Sequence, residues 1–217
     1  MKRHSLAKVN KNHSHLNVSG RRRLEIRLGW GAAPYNCRMT FDLQPKIQND
    51  LIRLEPLQAQ DFEAVYAVAS DPLIWEQHPS QNRYQRAVFE VYFNGGLESG
   101  GAFRVIDNIT GETLGSSRYY DLDENQRIVS IGYTFIARRA WGRGYNRALK
   151  TLMLDHAFAS VDRVLFQIGV NNLRSRKAIE KLGGILLREE AVAYHGERST
   201  PNVVYKIDKA DWAAPRS

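Results

Sequence analysis

Cysteine is almost missing from this chain: one thiol, Cys37, in 217 residues. No internal disulfide can form, the stretch from Met39 onward has no thiol nucleophile, and a reducing cytoplasm is the expected setting. Long apolar runs are missing too. Nothing approaches the roughly 20 residues needed to span a bilayer, and the first residues lack the apolar stretch of a secretory leader. Histidine is sparse, and His4, His13 and His15, half of the six, crowd the beginning of the chain; no metal site is expected. An excess of charge of either sign is absent from most of the sequence. Residues 1–38 hold nine Lys or Arg against one acid, Glu25, which accounts for the whole net charge of +8. The rest is balanced, so the high pI belongs to the leading segment and does not describe the ligand of the remainder. With scattered Asn, Ser, His and Gly and no sustained apolar period, residues 1–48 read as a basic, disordered extension. A natural start at Met39 fits the same facts, and a ribosome- or RNA-binding arm is the competing reading.

Pattern appears from Leu51. Leu51–Pro56 reads as a strand and Asp61–Ser70 as a helix, closed by Asp71-Pro72. The Trp75–Pro79 loop follows, then a helix over Tyr84–Leu97. Ala102–Asp107, Glu112–Tyr120 and Arg127–Ile136 form a meander, its first turn made by Asn108-Ile-Thr-Gly111. In the third strand Val129, Ile131, Tyr133 and Phe135 are expected on one face. Tyr145–Ser160 is the clearest helix, with an inward stripe of Tyr145, Ala148, Leu149, Leu152 and Met153. Arg163–Val170 is a strand, Asn172–Leu182 a helix stopped by Gly183-Gly184, and Ile185–Arg188 and Asn202–Ile207 complete the sheet. The sum is an α/β (α+β) domain over 51–208: a mostly antiparallel mixed sheet of about seven strands with one central parallel crossover, about four helices, and a tail over 209–217.

Two motifs carry chemistry. Arg139-Ala-Trp-Gly142-Arg-Gly144 lies between a strand and the start of the clearest helix, where orphan amides and the helix dipole favour an anion. Gly142 and Gly144 let the backbone approach a pyrophosphate, and Arg139 and Arg143 can add charge-assisted bonds. A P-loop is excluded by spacing, and the third glycine of a dinucleotide fingerprint is missing. One strand later comes Asn172-x-x-Ser175-x-x-Ala178-x-x-x-x-Gly183.

The pair resembles the two central motifs of the GCN5-related N-acetyltransferase (GNAT) family, in the branch that includes the RimJ and RimL ribosomal-protein acetyltransferases. The resemblance implies an acetyl-CoA co-substrate, no metal, and a primary-amine acceptor, either a protein N-terminus or a small molecule, in a monomer or homodimer that meets neither membrane nor, outside the tail, nucleic acid. It implies that Tyr133–Ile136 splays from Phe166–Val170, that backbone amides at Phe135 and Ile136 hold the pantetheine and polarise the thioester, and that Trp141, Tyr145, Asn146 and Asn172 help bind the cofactor. Ser175 is the candidate acid for the departing thiolate and Asn172 a positioning group, although both also suit a helix cap. The tyrosine many relatives use as that acid is replaced by Ile179, and Ser130 stands where relatives often place an acid. Glu76 and His78 remain as candidate bases.

Without an evident strong base, an α-amine near pKa ~8 is the easier acceptor than a lysine near ~10.4. The missing groups also keep open a non-catalytic acyl-CoA sensor.

Overall fold

Eight strands make one sheet in the order β1-β2-β3-β4-β5-β6-β8-β7. The computed structural model describes residues 40–193 and 199–213; residues 1–39 of the expected extension, with His4, His13, His15 and Cys37, lie outside them. β1 is Ile47–Gln48, β2 Ile52–Pro56, β3 Ala102–Asp107, β4 Thr113–Asp123, β5 Ile128–Ile136, β6 Arg163–Gly169, β7 Ile185–Ala193 and β8 Ser199–Asp208. All neighbours are antiparallel except β5 and β6, the one parallel pair, joined by the right length of crossover for a helix. The helices are α1 (Phe62–Ala69), α2 (Arg86–Glu98), α3 (Tyr145–Ser160), α4 (Leu173–Glu180) and α5 (Lys209–Ala213). No described helix is long and apolar enough to cross a membrane.

Two cores sandwich the sheet. On one face α3 buries Leu149, Met153, Leu154, Ala157 and Phe158 against Val129, Ile131, Val164 and Phe166. On the other, Val65 and Ala69 of α1 and Phe89 and Phe93 of α2 pack with Trp75 and Phe135. Each fully buried ring or aliphatic chain here contributes roughly 1.5–3 kcal/mol.

Four expectations change. β5 does not keep one face: Val129 and Ile131 join the α3 core, but Phe135, with Tyr133 against it, joins the α1/α2 core. The reason is a bulge. Arg118 pairs with Gly132 and Ser116 with Phe135, so β5 spends one extra residue and its alternation inverts. The α3 stripe is rotated from the expected one, and it contains Lys150, buried, while Ala148 and Leu152 sit only partly inside. Residues 41–48 belong to the folded body: Phe41 packs edge-on against Tyr119 at 5.1 Å and β1 pairs with β2. Residues 209–213 form α5, anchored by Trp212, whose Nε1 donates to Asp155 at 2.7 Å.

Candidate active site

β5 and β6 start as hydrogen-bonded partners and then part. Their register runs Ile128↔Arg163, Val129↔Val164, Ser130↔Leu165 and stops, although β5 continues to Ile136 and β6 to Gly169. The bulge drives the separation, because the extra residue bends β5 away from its neighbour. Tyr133 sits at its centre with φ +50°, a conformation that costs a non-glycine residue roughly 1–3 kcal/mol. The surroundings hold it there: the Tyr92 hydroxyl donates to the Tyr133 carbonyl, and the Arg118 guanidinium lies 4.0 Å from its ring centre.

The fork opens into two adjoining chambers. The inner one lies between Gly132–Thr134 on β5 and Phe166–Gly169 on β6. The outer one, of ≈ 330 Å³, runs past Phe135 and Ile136 to Trp141, Gly142 and Gly144, a size suited to an extended small-molecule arm. Trp75, His78, Thr134, Asn146, Asn172 and Ser175 border both. Among the described residues no carboxylate lines either chamber, and no group of three His, Cys, Asp or Glu side chains could hold a metal ion.

The glycine loop leaves open space at the start of α3. Gly142 and Gly144 have φ +71° and +84°, and a Cβ on either would meet nothing within 4 Å. Gly144 is the residue before α3, whose first turn no side chain caps, and Gly144, Asn146 and Arg147 line the outer chamber there. Further in, Ile136 turns its main chain to the fork. Its carbonyl accepts from Trp141 Nε1 at 2.9 Å, while the next amide, Ala137, bonds back to Leu114 in β4 at 2.7 Å. Amide and carbonyl of one strand residue point to the same edge, so the Ile136 N–H lies on the edge that β6 has left. The Phe135 and Ile136 side chains are core, and the two roles do not conflict.

Other expected residues are placed differently. The Arg139 guanidinium donates to Glu112 at 2.8 Å and to the Thr113 carbonyl at 3.4 Å, on the β3–β4 side. Arg143 is exposed and lines neither chamber. Tyr145 sends its hydroxyl to Asp107 at 2.9 Å, tying the hairpin turn to the start of α3; only its backbone is near the glycine loop. Asn172 and Ser175 do border the fork, but the Asn172 side chain accepts from the Ser175 amide at 3.1 Å, the capping arrangement. Glu76 is not brought into the cleft. Its carboxylate pairs with Arg174 at 3.1 Å at the surface.

Two further side chains, Arg174 and Lys150, shape the site without having been singled out from the sequence. Arg174 also donates to the Ile74 carbonyl at 3.1 Å, lies 4.0 Å over the Trp141 ring, and through its backbone amide donates to Gln77 Oε1 at 3.0 Å. It fastens the Ile74–Gln77 loop across the cleft mouth. Arg174→Ala is expected to lower stability by about 1–2 kcal/mol, a loss of charge-assisted bonds discounted for partial exposure, and to speed proteolysis in that loop; thermal melts and limited digestion read both. Lys150 enters from α3 and donates to Thr134 Oγ1 at 2.6 Å. Burial drops its pKa to about 7. His78 is held well below its usual value by burial first and by Arg83 second, and its Nδ1 accepts from the Ser80 amide at 2.9 Å.

Solved structures share this architecture. A GCN5-related N-acetyltransferase from Brucella melitensis superposes with a TM-score of 0.68 at 20% identity, covering 78% of this chain and 80% of that one. An acetyltransferase of the GNAT family from Bacillus anthracis gives 0.62 at 17%, covering 76% and 99%. The spermidine N-acetyltransferase of Vibrio cholerae, solved with CoA and spermine, gives 0.59 at 16%, covering 76% and 100%. These likenesses concern the fold. No curated protein matches the chain by sequence. The model of the acetyltransferase (GNAT) domain matches residues 52–185, more than half of the sequence, and with the parted strands and glycine loop already in place, the chain belongs to the GNAT acetyltransferase family.

Proposed function

We propose that the protein transfers an acetyl group from acetyl-CoA to a primary amine, a protein N-terminal α-amine or a small-molecule amine, by direct attack on the thioester. The observation that carries the reading is the fork itself: two parallel strands paired only through Ser130 and Leu165, with the Ile136 amide on the edge that β6 has left and the Ile136 carbonyl on that edge held by Trp141. A pantetheine arm can take that edge as a missing strand would, and the Ile136 amide is then aimed at the thioester oxygen as negative charge builds on it. The amides at the start of α3 suit the pyrophosphate. Ser175, bordering both chambers, is within the space where the leaving sulfur would lie and can relay a proton to it; Asn172 orients Ser175 through the cap. The Asn172/Ser175 pair is also what supports assignment to the RimJ/RimL-type branch. The folded acetyltransferase domain is proposed to run from about Phe41 to Ala213, with the basic segment before it outside the catalytic unit.

Acetyl-CoA at about a hundred times its dissociation constant should stabilise the fold by ~2.7 kcal/mol, some 5–10 °C in melting temperature at roughly 2–4 °C per kcal/mol. Free thiol should then appear when amines are added from a panel of dipeptides, amino sugars and polyamines. A melting shift with no thiol from any amine would favour an acyl-CoA sensor, and no shift at all would remove the cofactor reading.

A further inference from the structure

We propose that Lys150, a residue outside both family motifs, is the proton acceptor for the incoming ammonium, working from the floor of the inner chamber where β5 and β6 separate. The inference rests on the acetyl-transfer reading above.

Three observations converge on this lysine. It occupies the apolar stripe of α3 between Leu149 and Met153 and is only 4% exposed. An ammonium there without a carboxylate is strongly disfavoured, and no described acid forms an ion pair with it. What it does have is Thr134 Oγ1 at 2.6 Å and, at 5.8 Å, the face of Phe166. The threonine oxygen is itself fixed, 3.2 Å from the Gly132 carbonyl, to which it donates, and 2.8 Å from Ser117 Oγ. An uncharged lysine can give one hydrogen to Thr134 and still point its lone pair into the chamber. A purely structural contact would be met as well by an uncharged side chain.

Place matters as much as chemistry. Thr134 lies two residues before Ile136, whose amide faces the fork, so the lysine sits beside the path an amine must take to the carbonyl carbon. Asn146, one helical turn earlier on α3, borders both chambers and marks the same line of approach. The competing bases are weaker. Glu76 is engaged by Arg174. His78 is less basic than Lys150 at neutral pH, through burial and the Arg83 charge 3.3 Å from its Nε2. Burial alone brings Lys150 to about 7, near the value at which a base works best in neutral solution.

The proton account closes. Uncharged Lys150 takes one hydrogen from the acceptor ammonium, and the freed nitrogen pair bonds to the carbonyl carbon while the C=O π pair moves to oxygen. As that pair returns, the C–S bond breaks and sulfur leaves with its electrons. The lysine ammonium passes its proton, directly or through Ser175, to the thiolate, then accepts the second nitrogen proton and releases it to solvent. The products are amide, free thiol and one hydrogen ion.

The test is the pH dependence of kcat/KM with two acceptors of different basicity. The charged and titratable groups that line the inner chamber with Lys150 are His78 and Arg83 from the loop before α2 and Tyr133 from β5, with Arg118 of β4 over the Tyr133 ring and Tyr120 of β4 bonded to Gln167 behind them; burial and the Arg83 charge hold His78 well below its usual value. Wild type should rise to a break near 7 that stays put when the acceptor changes. Lys150→Met should fall by about 10²–10⁴-fold, with a break that follows the acceptor's own pKa. Lys150→Arg, which keeps the charge and the donor to Thr134 but cannot give up its proton, should be equally slow. Retained acetyl-CoA melting shifts confirm that each variant is folded, and Lys150→Gln replaces any that is not. Rescue by arginine, or a wild-type profile in Lys150→Met, overturns the proposal and leaves the acetyl-transfer reading standing. A wild-type protein inert to acetyl-CoA and every amine overturns both.

Discussion

Gly144→Val is expected to abolish the acetyl-CoA melting shift while leaving a folded protein. Gly144 holds φ +84° and ψ −11° at the entrance to α3, where a side chain costs roughly 1–2 kcal/mol and a β-branched one somewhat more. Nothing lies within 4 Å of the added Cβ, so no packing clash is added in the free protein. The melting temperature should fall by a few degrees and the circular dichroism spectrum should hold. Affinity should suffer far more. The empty volume over Gly144 is where a pyrophosphate must come to reach the uncapped amides of the first turn, and two methyl groups there push it out of hydrogen-bond range. Losing two or three charge-assisted bonds of about 1.5–3 kcal/mol each corresponds to a weakening of at least 10²-fold, readable by calorimetry. Gly142→Val, at φ +71° with equally open surroundings, should act in the same direction. Binding that survives both changes would mean the cofactor phosphates lie elsewhere.

The contrast between these glycines and the rest of the site shows what the chain discloses on its own. The left-handed turn at Gly142 and Gly144 was legible because a positive φ favours glycine, so the residue type reports its geometry. The fork was implied by the family resemblance, and the bulge that produces it left no mark: Tyr133 is an ordinary strand residue, and only the pairing of Arg118 with Gly132 and Ser116 with Phe135 reveals the additional position. That one insertion turned the expected face of Phe135. β1, two residues long, and α5, five, are too short to show a period. Arg139 and Glu76 were placed by their charge, but charge does not choose a partner. Glu112 and Arg174, distant in sequence, claimed them.

Lys150 escaped for a different reason. A lysine in a 16-residue amphipathic helix ordinarily reads as solvated, and its spacing of three from Met153 and four from Asn146 and Leu154 was the available signal. Such a residue is costly to keep, and the cost can be measured. In the unfolded chain a lysine holds its proton up to ~10.4; in the fold Lys150 gives it up near 7. Between those values the unfolded state binds the additional proton, so stability rises with pH by up to about 1.4 kcal/mol per unit. Below about pH 7 both states are charged and the whole penalty, on the order of 5 kcal/mol, is present; above ~10.4 both are neutral and it is gone. Lys150→Met removes the burden and forfeits one hydrogen bond to Thr134, worth about 1 kcal/mol. After further allowance for local relaxation around the ammonium, the expected gain at pH 6 is roughly 2–4 kcal/mol, or about 4–16 °C in melting temperature, shrinking toward zero by pH 10. Paired melts of wild type and variant across that range test it. A lysine kept for structure would lose stability on replacement. A lysine that serves proton transfer should show the reverse, a more stable protein that turns over more slowly, the usual trade between stability and activity.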